Sequence, residues 1–238
     1  MGDEPRYSRI LIKLSGEWLT GSDRFGINPE PVKTICLQLK RLQEAGVQIG
    51  IVVGGGNIFR GLKASKTGMN RITADHMGML ATVINALALQ DQLENLGVPA
   101  RVLTAVSMEA FADTYTSRRA ISHLEKGRVV FLAAGTGHPY FTTDTAAALR
   151  ASELGAGLIL KGTDVDGVYS SDPKTDPKAE LYTELTYLEA LSKELGVMDA
   201  AAIALCKDNK IPLRVFNLGI ENYLYRAGMG ESVGTLVK

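Results

Sequence analysis

Short apolar runs that end at or near glycine recur along this chain, and segments of helical periodicity lie between them. The runs cover residues 10–14, 47–53, 129–132 and 158–160, and the loops after them contain Ser15-Gly16, Gly54-Gly55-Gly56-Asn57, Gly135-Thr136-Gly137 and Gly162-Thr163. Runs of this length are typical of buried strands, and strands that alternate with helices form βαβ units. The parallel strands of such units are covered on both faces. We therefore predict an α/β fold, a three-layer αβα sandwich with a mostly parallel central sheet.

The remaining periodicity predicts the other elements. We expect further strands over residues 101–103, 213–216 and 235–237, and helices over residues 29–45, 74–96, 117–126, 145–154, 187–195, 199–209 and 222–226. Asn28 suits the cap of the first helix because Pro29 follows at the first helical position. Asp166-Gly167 is a good turn pair and predicts a hairpin over residues 164–169. No repeat or linker divides the chain, so we predict a single domain with two lobes, residues 1–160 and 161–238.

Charge, hydropathy and cysteine usage argue against several classes of protein. The 26 Lys and Arg residues balance the 26 Asp and Glu residues, so the net charge is zero. This balance argues against electrostatic binding of nucleic acid or of an anionic membrane over the whole protein surface. We see no apolar run near the roughly 18–20 residues that cross a bilayer, and the charged start at Met1-Gly2 does not resemble a signal peptide. Cys36 and Cys206 lie far apart inside helical patterns, so we expect free thiols in a reducing cytoplasm. The Cys and His residues lack zinc spacing, and we expect no protein-held metal.

The four glycine loops are candidates for a phosphate site. Ligands collect at the carboxyl ends of the strands in an open parallel sheet, and glycine lets backbone N–H groups face an anion. Lys13, Arg60 and Lys161 lie beside three of these loops. Glycine in such turns also serves packing alone. Because no loop matches the P-loop or the dinucleotide fingerprint, we expect a polyphosphate site assembled from several loops.

Lys13 and three aspartates are the candidate charged groups of this site. Lys13 lies at the end of an apolar strand, where its ammonium either stabilises a moving phosphoryl group or merely reaches solvent from the sheet edge. Asp144 follows Thr142-Thr143 near a helix start, where it either holds Lys13 by a charge-assisted hydrogen bond or only favours the helix dipole. Asp75 and Asp172 have the same kind of alternative, as first-turn or loop-capping carboxylates.

Several blocks together resemble a known family. They are Lys13-Leu14-Ser15-Gly16, Gly54-Gly55-Gly56-Asn57 with Phe59-Arg60-Gly61, residues 75–82, Ala134-Gly135-Thr136-Gly137, Phe141-Thr142-Thr143-Asp144, residues 165–169, residues 197–199, residues 215–217 and Gly234-Thr235-Leu236. In this order, over nearly the whole chain, the sequence resembles bacterial uridylate (UMP) kinase of the amino acid kinase superfamily. The glycine triplet is shared across the superfamily, whereas residues 75–82 and 136–144 are specific to that branch.

The resemblance implies an amino acid kinase-like fold and transfer of the γ-phosphoryl group of ATP to UMP, with Mg²⁺ carried by the nucleotide. It implies catalytic roles for Lys13, Arg60 and Asp144. The ATP-binding residues would be Lys13, Leu14, Ser15, Gly16, Gly56, Arg60, Thr163, Tyr169 and Asp172. The UMP-binding residues would be Gly55, Asp75, Thr136, Gly137, His138, Pro139, Tyr140, Phe141, Thr142 and Thr143, with Asp75 on the ribose hydroxyls.

The resemblance also implies regulation and assembly. The family is typically hexameric, with GTP as an activator, UTP as a feedback inhibitor and a role in pyrimidine nucleotide biosynthesis. The segment that matches the one linked to GTP is Gly21, Ser22, Asp23, Arg24, Phe25 and Gly26. The predicted helix 74–96 has apolar residues on more than one face, which fits a subunit interface or a helix buried on two sides. Trp18 and His138 depart from the residues usual in the family.

The chemistry agrees with the lack of a convincing general base. A phosphate monoester is largely dianionic at neutral pH because its second pKa is about 6, so UMP as acceptor needs no base. Two rival functions are compatible with the same fold. One is phosphorylation of a carboxylate or carbamate by another superfamily member, against which residues 75–82 and 136–144 argue. The other is a binding protein on the same fold, against which Lys13, Arg60 and Asp144 argue.

Overall fold

The computed structural model describes residues 4–60 and 68–238. Met1, Gly2 and the motif residue Gly61 lie outside the described residues.

A single sheet runs through the centre of the molecule. Its nine strands in the described residues are β1 (Arg9–Leu14), β2 (Gln48–Val53), β3 (Ala100–Thr104), β4 (Asp113–Thr114), β5 (Val129–Ala133), β6 (Leu158–Thr163), β7 (Glu184–Leu185), β8 (Leu213–Asn217) and β9 (Thr235–Val237). The spatial order is β4-β3-β5-β2-β1-β6-β8-β9-β7. Neighbouring strands are parallel except β8 and β9, which are antiparallel. The carboxyl ends of β1, β2, β5 and β6 therefore meet at one edge.

Helices cover both faces of this sheet. Within the described residues they are α1 (Pro29–Glu44), α2 (Arg71–Asn95), α3 (Ser117–Glu125), α4 (Thr143–Leu154), α5 (Tyr187–Ser192), α6 (Ala200–Asp208) and α7 (Tyr223–Met229), with a 3-10 helix over Gly16–Leu19. Successive strand residues point to opposite faces. Ile10 and Ile12 accordingly pack in one core with α1, α2 and α7, while Leu11 packs in a second core with α3, α4 and α6. The predicted three-layer αβα architecture is confirmed.

The capping and cysteine predictions agree with the structure. The Asn28 side chain accepts a hydrogen bond from the backbone N–H of Glu30, and Pro29 is the first residue of α1. Cys36 and Cys206 are buried free thiols. Burial raises the pKa of each thiol to about 12, so both are unreactive packing residues at neutral pH.

Several expectations about local structure were wrong, among them the end of α5, which was expected at residue 195 and lies at Ser192. The second long helix begins at Arg71 instead of residue 74, because Asn70 caps it by accepting from the backbone N–H groups of Ile72 and Thr73. Residues 164–169 form bends instead of a hairpin, and Tyr169 makes an isolated antiparallel bridge with Leu181.

The strands β8 and β9 explain the missing hairpin. The backbone N–H of Val168 donates to Thr235 Oγ1 at 2.8 Å, and Asn217 Nδ2 donates to Asp166 Oδ1 at 2.9 Å. A Cβ on Gly167 would lie 2.4 Å from Thr235 Oγ1, so the glycine permits this close approach. The segment is therefore attached to two sheet strands by side chains and not to itself.

The helix α2 is longer and more apolar than we expected when we saw no run that could cross a bilayer. By length and composition it could cross a membrane, since its most apolar window has a mean hydropathy of 1.3. Core helices of globular proteins meet the same test, and Ala86, Leu89 and Leu93 of α2 are buried in the core that includes β1 and β2. Leu80 and Ile84 on the opposite face are exposed. The helix was expected either to be buried on two sides or to form a subunit interface. Because one apolar face is exposed, α2 is not buried on both sides within one chain.

Candidate functional site

The predicted glycine loops meet at the carboxyl edge of the sheet. The backbone N–H of Gly54, after β2, donates to the carbonyl of Leu14 at the end of β1. A Cβ on Gly16 would lie 2.4 Å from Asn57 Oδ1 and 2.5 Å from the Gly54 carbonyl oxygen. A side chain at position 16 would thus force apart two of the loops that form this edge.

Three cavities lie along this edge. The first, which we call the loop cavity, has a volume of about 570 Å³ and is lined by Glu17, Gly55, Gly56, Phe59, Arg60, Arg71, Ala74, Asp75, Gly78, Met79, Thr82, Gly135, Thr136, His138, Phe141, Thr142 and Thr143. Seven of the ten residues expected to bind UMP belong to this lining, whereas Gly137, Pro139 and Tyr140 do not. Gly56 and Arg60, which were expected to touch ATP or the transferred phosphate, line the same cavity.

The other two cavities contain most of the residues expected on the ATP side. The lysine cavity, of about 380 Å³, is lined by Lys13, Ser15, Glu17, Trp18, Gly21, Lys161, Gly162, Thr163 and Asp164. The outer cavity, of about 420 Å³, includes Asp164, Tyr169, Asp172 and Lys193 in its lining. Glu17 is common to the loop and lysine cavities, and Asp164 is common to the lysine and outer cavities. The three cavities are therefore consecutive parts of one cleft.

A carboxylate lies between two ammonium groups of the lysine cavity. Lys13 on β1 and Lys161 on β6 are directly paired in the parallel register. Lys13 Nζ lies 2.9 Å from Asp144 Oδ1, and Lys161 Nζ lies 2.9 Å from Asp144 Oδ2. The three side chains are only 12–15% exposed. Both lysines line the lysine cavity, and Lys161 Nζ also donates to the Val197 carbonyl at 2.5 Å, which gives Lys161 a second partner besides Asp144.

The charge states of this cluster follow from burial and from its own Coulomb interactions. Burial alone raises the pKa of the Asp144 carboxyl, but the ammonium groups of Lys13 and Lys161 outweigh burial, and the pKa lies below its ordinary value. Burial lowers the pKa of Lys161, and Asp144 opposes that effect. The cluster thus presents an ionised carboxylate between two cations.

Arg60 and Asp75 both line the loop cavity. Arg60 is 58% exposed and forms an ion pair with Glu17, and its Nε donates to the Gly56 carbonyl at 3.3 Å. Asp75 accepts from Arg71 Nε at 2.8–3.0 Å and from the backbone N–H of Tyr140 at 2.8 Å. Because α2 begins at Arg71, Asp75 lies beyond its first turn, and the first-turn interpretation of this carboxylate is wrong.

Comparison with known proteins gives the family. The amino acid kinase family matches residues 8–217, a span from just before β1 to the end of β8. A uridylate kinase of Methylococcus capsulatus is 54% identical over 98% of this chain and 98% of its own length. The chain belongs to the amino acid kinase family, within its uridylate kinases.

Solved structures agree with this assignment. The crystal structure of UMP kinase from Bacillus anthracis has a TM-score of 0.94 at 38% identity, covering 98% of this chain and 96% of that one. The crystal structure of UMP kinase from Ureaplasma parvum has a TM-score of 0.92 at 40% identity, covering 98% and 99%. Membership of this branch removes the support for a carboxylate-phosphorylating or purely binding alternative.

The structure adds site residues that the sequence motifs did not assign. Asp199 caps α6 by accepting from the backbone N–H of Ala202, and it also accepts from the hydroxyls of Thr142 and Thr145. Thr142 in turn caps α4 by accepting from the backbone N–H groups of Asp144 and Thr145. The start of α4, and with it Asp144, is therefore tied to a second helix start. The signals available for Asp199 were its place at the start of a predicted helix and the family resemblance of residues 197–199, and neither assigned it a role.

The remaining predicted residues lie at the periphery of the cleft. Asp172 Oδ1 accepts from the backbone N–H of Lys174 at 2.9 Å, which agrees with the loop-capping alternative while the side chain still lines the outer cavity. In the segment 21–26, Gly21 lines the lysine cavity and Phe25 is 68% exposed. Leu14 and Gly16 are buried behind the cleft wall. Within residues 4–60 and 68–238 there is no group of three or more His, Cys, Asp or Glu side chains that would hold a metal ion.

Replacement of Asp144 by asparagine is expected to destabilise the protein. The Asp144→Asn variant leaves two buried ammonium groups beside a neutral amide, and we expect a loss of about 3–5 kcal/mol in the free energy of unfolding at neutral pH. Since the pKa of Asp144 is lower in the folded protein than in the unfolded chain, this difference is complete above the ordinary carboxyl pKa of about 4 and disappears as the pH falls through the folded pKa.

Urea denaturation of both proteins from about pH 7 down to about pH 3 measures this difference. The control is Asp91→Asn, whose exposed carboxylate accepts a single hydrogen bond from Asn95 on the same helix. Equal losses for the two variants at neutral pH would contradict the role of the buried ion pairs.

Proposed function

We propose that this protein transfers the γ-phosphoryl group of ATP to UMP, giving ADP and UDP, and that it serves pyrimidine nucleotide biosynthesis. The observation that carries the proposal is the Lys13–Asp144–Lys161 cluster at the lysine cavity. The lysine cavity adjoins the loop cavity, because Glu17 lines both. The 54% identity to a uridylate kinase supports UMP as the acceptor.

The two nucleotides are assigned to different parts of the cleft. UMP is placed in the loop cavity, whose volume of about 570 Å³ and lining by Asp75, Thr136 and His138 suit a nucleoside monophosphate. ATP is placed along the lysine and outer cavities, with its phosphates near Lys13 and its adenosine near Tyr169 and Asp172. In this arrangement residues 1–160 form the lobe that binds UMP, and residues 161–238 form most of the lobe that binds ATP.

The mechanism needs charge neutralisation and alignment, and no protein base. The Lys13 ammonium stabilises the charge on the transferred group, and Asp144 holds that ammonium in place. Arg60, at the loop cavity, contacts the phosphates after leaving Glu17. Mg²⁺ carried by ATP would supply further positive charge at the phosphates beside Lys13. The backbone N–H groups of the glycine loops complete the anion site.

The finer properties of the family are also proposed for this chain. We place it in the cytoplasm as a homohexamer activated by GTP and inhibited by UTP, with no nucleic-acid or membrane partner. The exposed apolar face of α2, with Met77, Leu80 and Ile84, supports contact with a second copy. The two buried free thiols support a reducing compartment. The exposed segment 21–26 beside the lysine cavity supports an effector role.

Removal of the Lys13 amine is expected to abolish transfer without unfolding the protein. In Lys13→Ala the Asp144 carboxylate keeps Lys161 as its partner, so no buried charge is left alone. We expect kcat to fall at least about 10³-fold while the thermal midpoint stays near that of the wild type. A coupled assay for ADP formation gives kcat, and near-normal turnover would refute the assigned role.

Asp75 is expected to act on one substrate alone, because it lines the loop cavity and neither of the others. In Asp75→Ala the KM for UMP should rise about 10–100-fold, as expected for a lost hydrogen bond to a charged group, while the KM for ATP stays within about twofold. Asp91→Ala, a change at the opposite end of the same helix, is the matched control. An equal rise in both KM values would mean that Asp75 has been placed on the wrong ligand.

Assembly through α2 is tested by sedimentation. We expect a mass about six times that of the 25.6 kDa chain, with and without GTP. Leu80→Glu places a charge on the exposed apolar face of α2 and should lower that mass. Sedimentation of the unchanged protein as a monomer at micromolar concentration would rule out the hexamer.

A further inference from the structure

Arg150 is a buried cation for which the motifs gave no role. It lies on α4, and its side chain is 7% exposed. Nη1 donates to Glu153 Oε2 at 2.7 Å, and Nη2 donates to the carbonyl of Gly135 at 3.2 Å. The guanidinium carbon lies 4.0 Å from the centre of the Tyr115 ring, and the Tyr115 hydroxyl donates to Glu153 Oε2 at 2.5 Å. The charge is therefore neutralised, and the planar group is held on two sides.

Arg150 contacts the loop 134–140, whose backbone conformation is unfavourable by itself and is stabilised by contacts with other elements. Residues 134–140 include Ala134 at a φ of 62° and Tyr140 at a φ of 71°, besides Gly135 and Gly137 at positive φ. A left-handed conformation costs a non-glycine residue about 1–2 kcal/mol, so contacts from outside the loop must maintain it. The loop is the wall of the loop cavity that contains Thr136 and His138.

Two of the contacts that maintain the loop come from α2. The backbone N–H of Ala134 donates to Thr82 Oγ1 at 2.8 Å, and the backbone N–H of Tyr140 donates to Asp75 at 2.8 Å. Arg150 holds the carbonyl of Gly135 from α4, on the other face of the sheet. Because this carbonyl belongs to the peptide group shared with Thr136, its position sets where Thr136 meets the cavity.

We infer that Arg150 is a positioning residue that holds the loop 134–140 in place for the substrate in the loop cavity, with Glu153 and Tyr115 orienting its guanidinium group. The inference rests on the proposal that this cavity binds UMP. Arg150 itself is absent from the cavity lining, so its effect on substrate passes through the Gly135 peptide.

The test uses Arg150→Lys in the full-length protein. Lysine keeps the positive charge beside Glu153 and over the Tyr115 ring, which protects the fold, but a single ammonium lacks the fork that reaches both Glu153 and Gly135. The matched control is Arg226→Lys, at an exposed arginine that donates to Glu231 outside the three cavities. Steady-state kinetics gives both KM values, and hydrogen exchange without nucleotide reports opening of the loop.

For Arg150→Lys we expect the KM for UMP to rise about tenfold, the KM for ATP to stay within about twofold, and the amides of residues 135–141 to exchange faster than in the control. Faster exchange with a rise in the KM for ATP instead would support the positioning role and overturn the assignment of UMP to this cavity. A folded variant with unchanged exchange, or with both KM values unchanged, would overturn the inference.

Tyr115→Phe provides a second variant if the first fails to fold. It keeps the ring beneath the guanidinium group and removes only the hydrogen bond to Glu153. The same changes are expected in smaller degree, about twofold in the KM for UMP, and their absence would likewise overturn the inference.

Discussion

The ion pairs of Asp144 with Lys13 and Lys161 are the interaction on which the rest of the site depends. The parallel register of β1 and β6 places the two lysines side by side at the sheet edge, and two buried ammonium groups need a carboxylate between them. Asp144 can provide it only if α4 starts at that point. The caps made by Thr142 and Asp199 determine that start. The helix caps, the sheet register and the charge cluster are thus parts of one arrangement.

This arrangement also explains how a chain of zero net charge can bind two polyanions. The cluster contains two cations and one anion, so it contributes one net positive charge to the cleft. Arg60 at the loop cavity is paired with Glu17 and adds a further positive charge only when it leaves that partner. The pKa of Asp144 lies below its ordinary value, so the carboxylate stays ionised at neutral pH. Electrostatic attraction of nucleotides depends on where these cations lie in the cleft and not on the total of 26 charges of each sign.

Elements with strong local signals could be predicted from the sequence, and elements without them could not. The cap at Asn28 and the four strand-to-glycine loops agree with the structure because caps and apolar runs are local. The two-residue strands β4 and β7 are too short to have a periodicity, and they were missed. Residues 164–169 contain a good turn pair, yet side-chain contacts with β8 and β9 override the local preference.

By itself the sequence determined the fold class, the family, and the edge of the sheet at which the glycine loops and the candidate cleft lie, because each rests on residue patterns that are local or in a fixed order. Only the tertiary structure decided which charges face one another. Asp144 is distant from Lys13 in the chain and lies 2.9 Å from it in space, and no motif relates Arg150 to Gly135 or Asp75 to Tyr140. Such contacts arise where helices from both faces of the sheet approach the loops at one edge, and strand order and register determine that approach while local sequence does not.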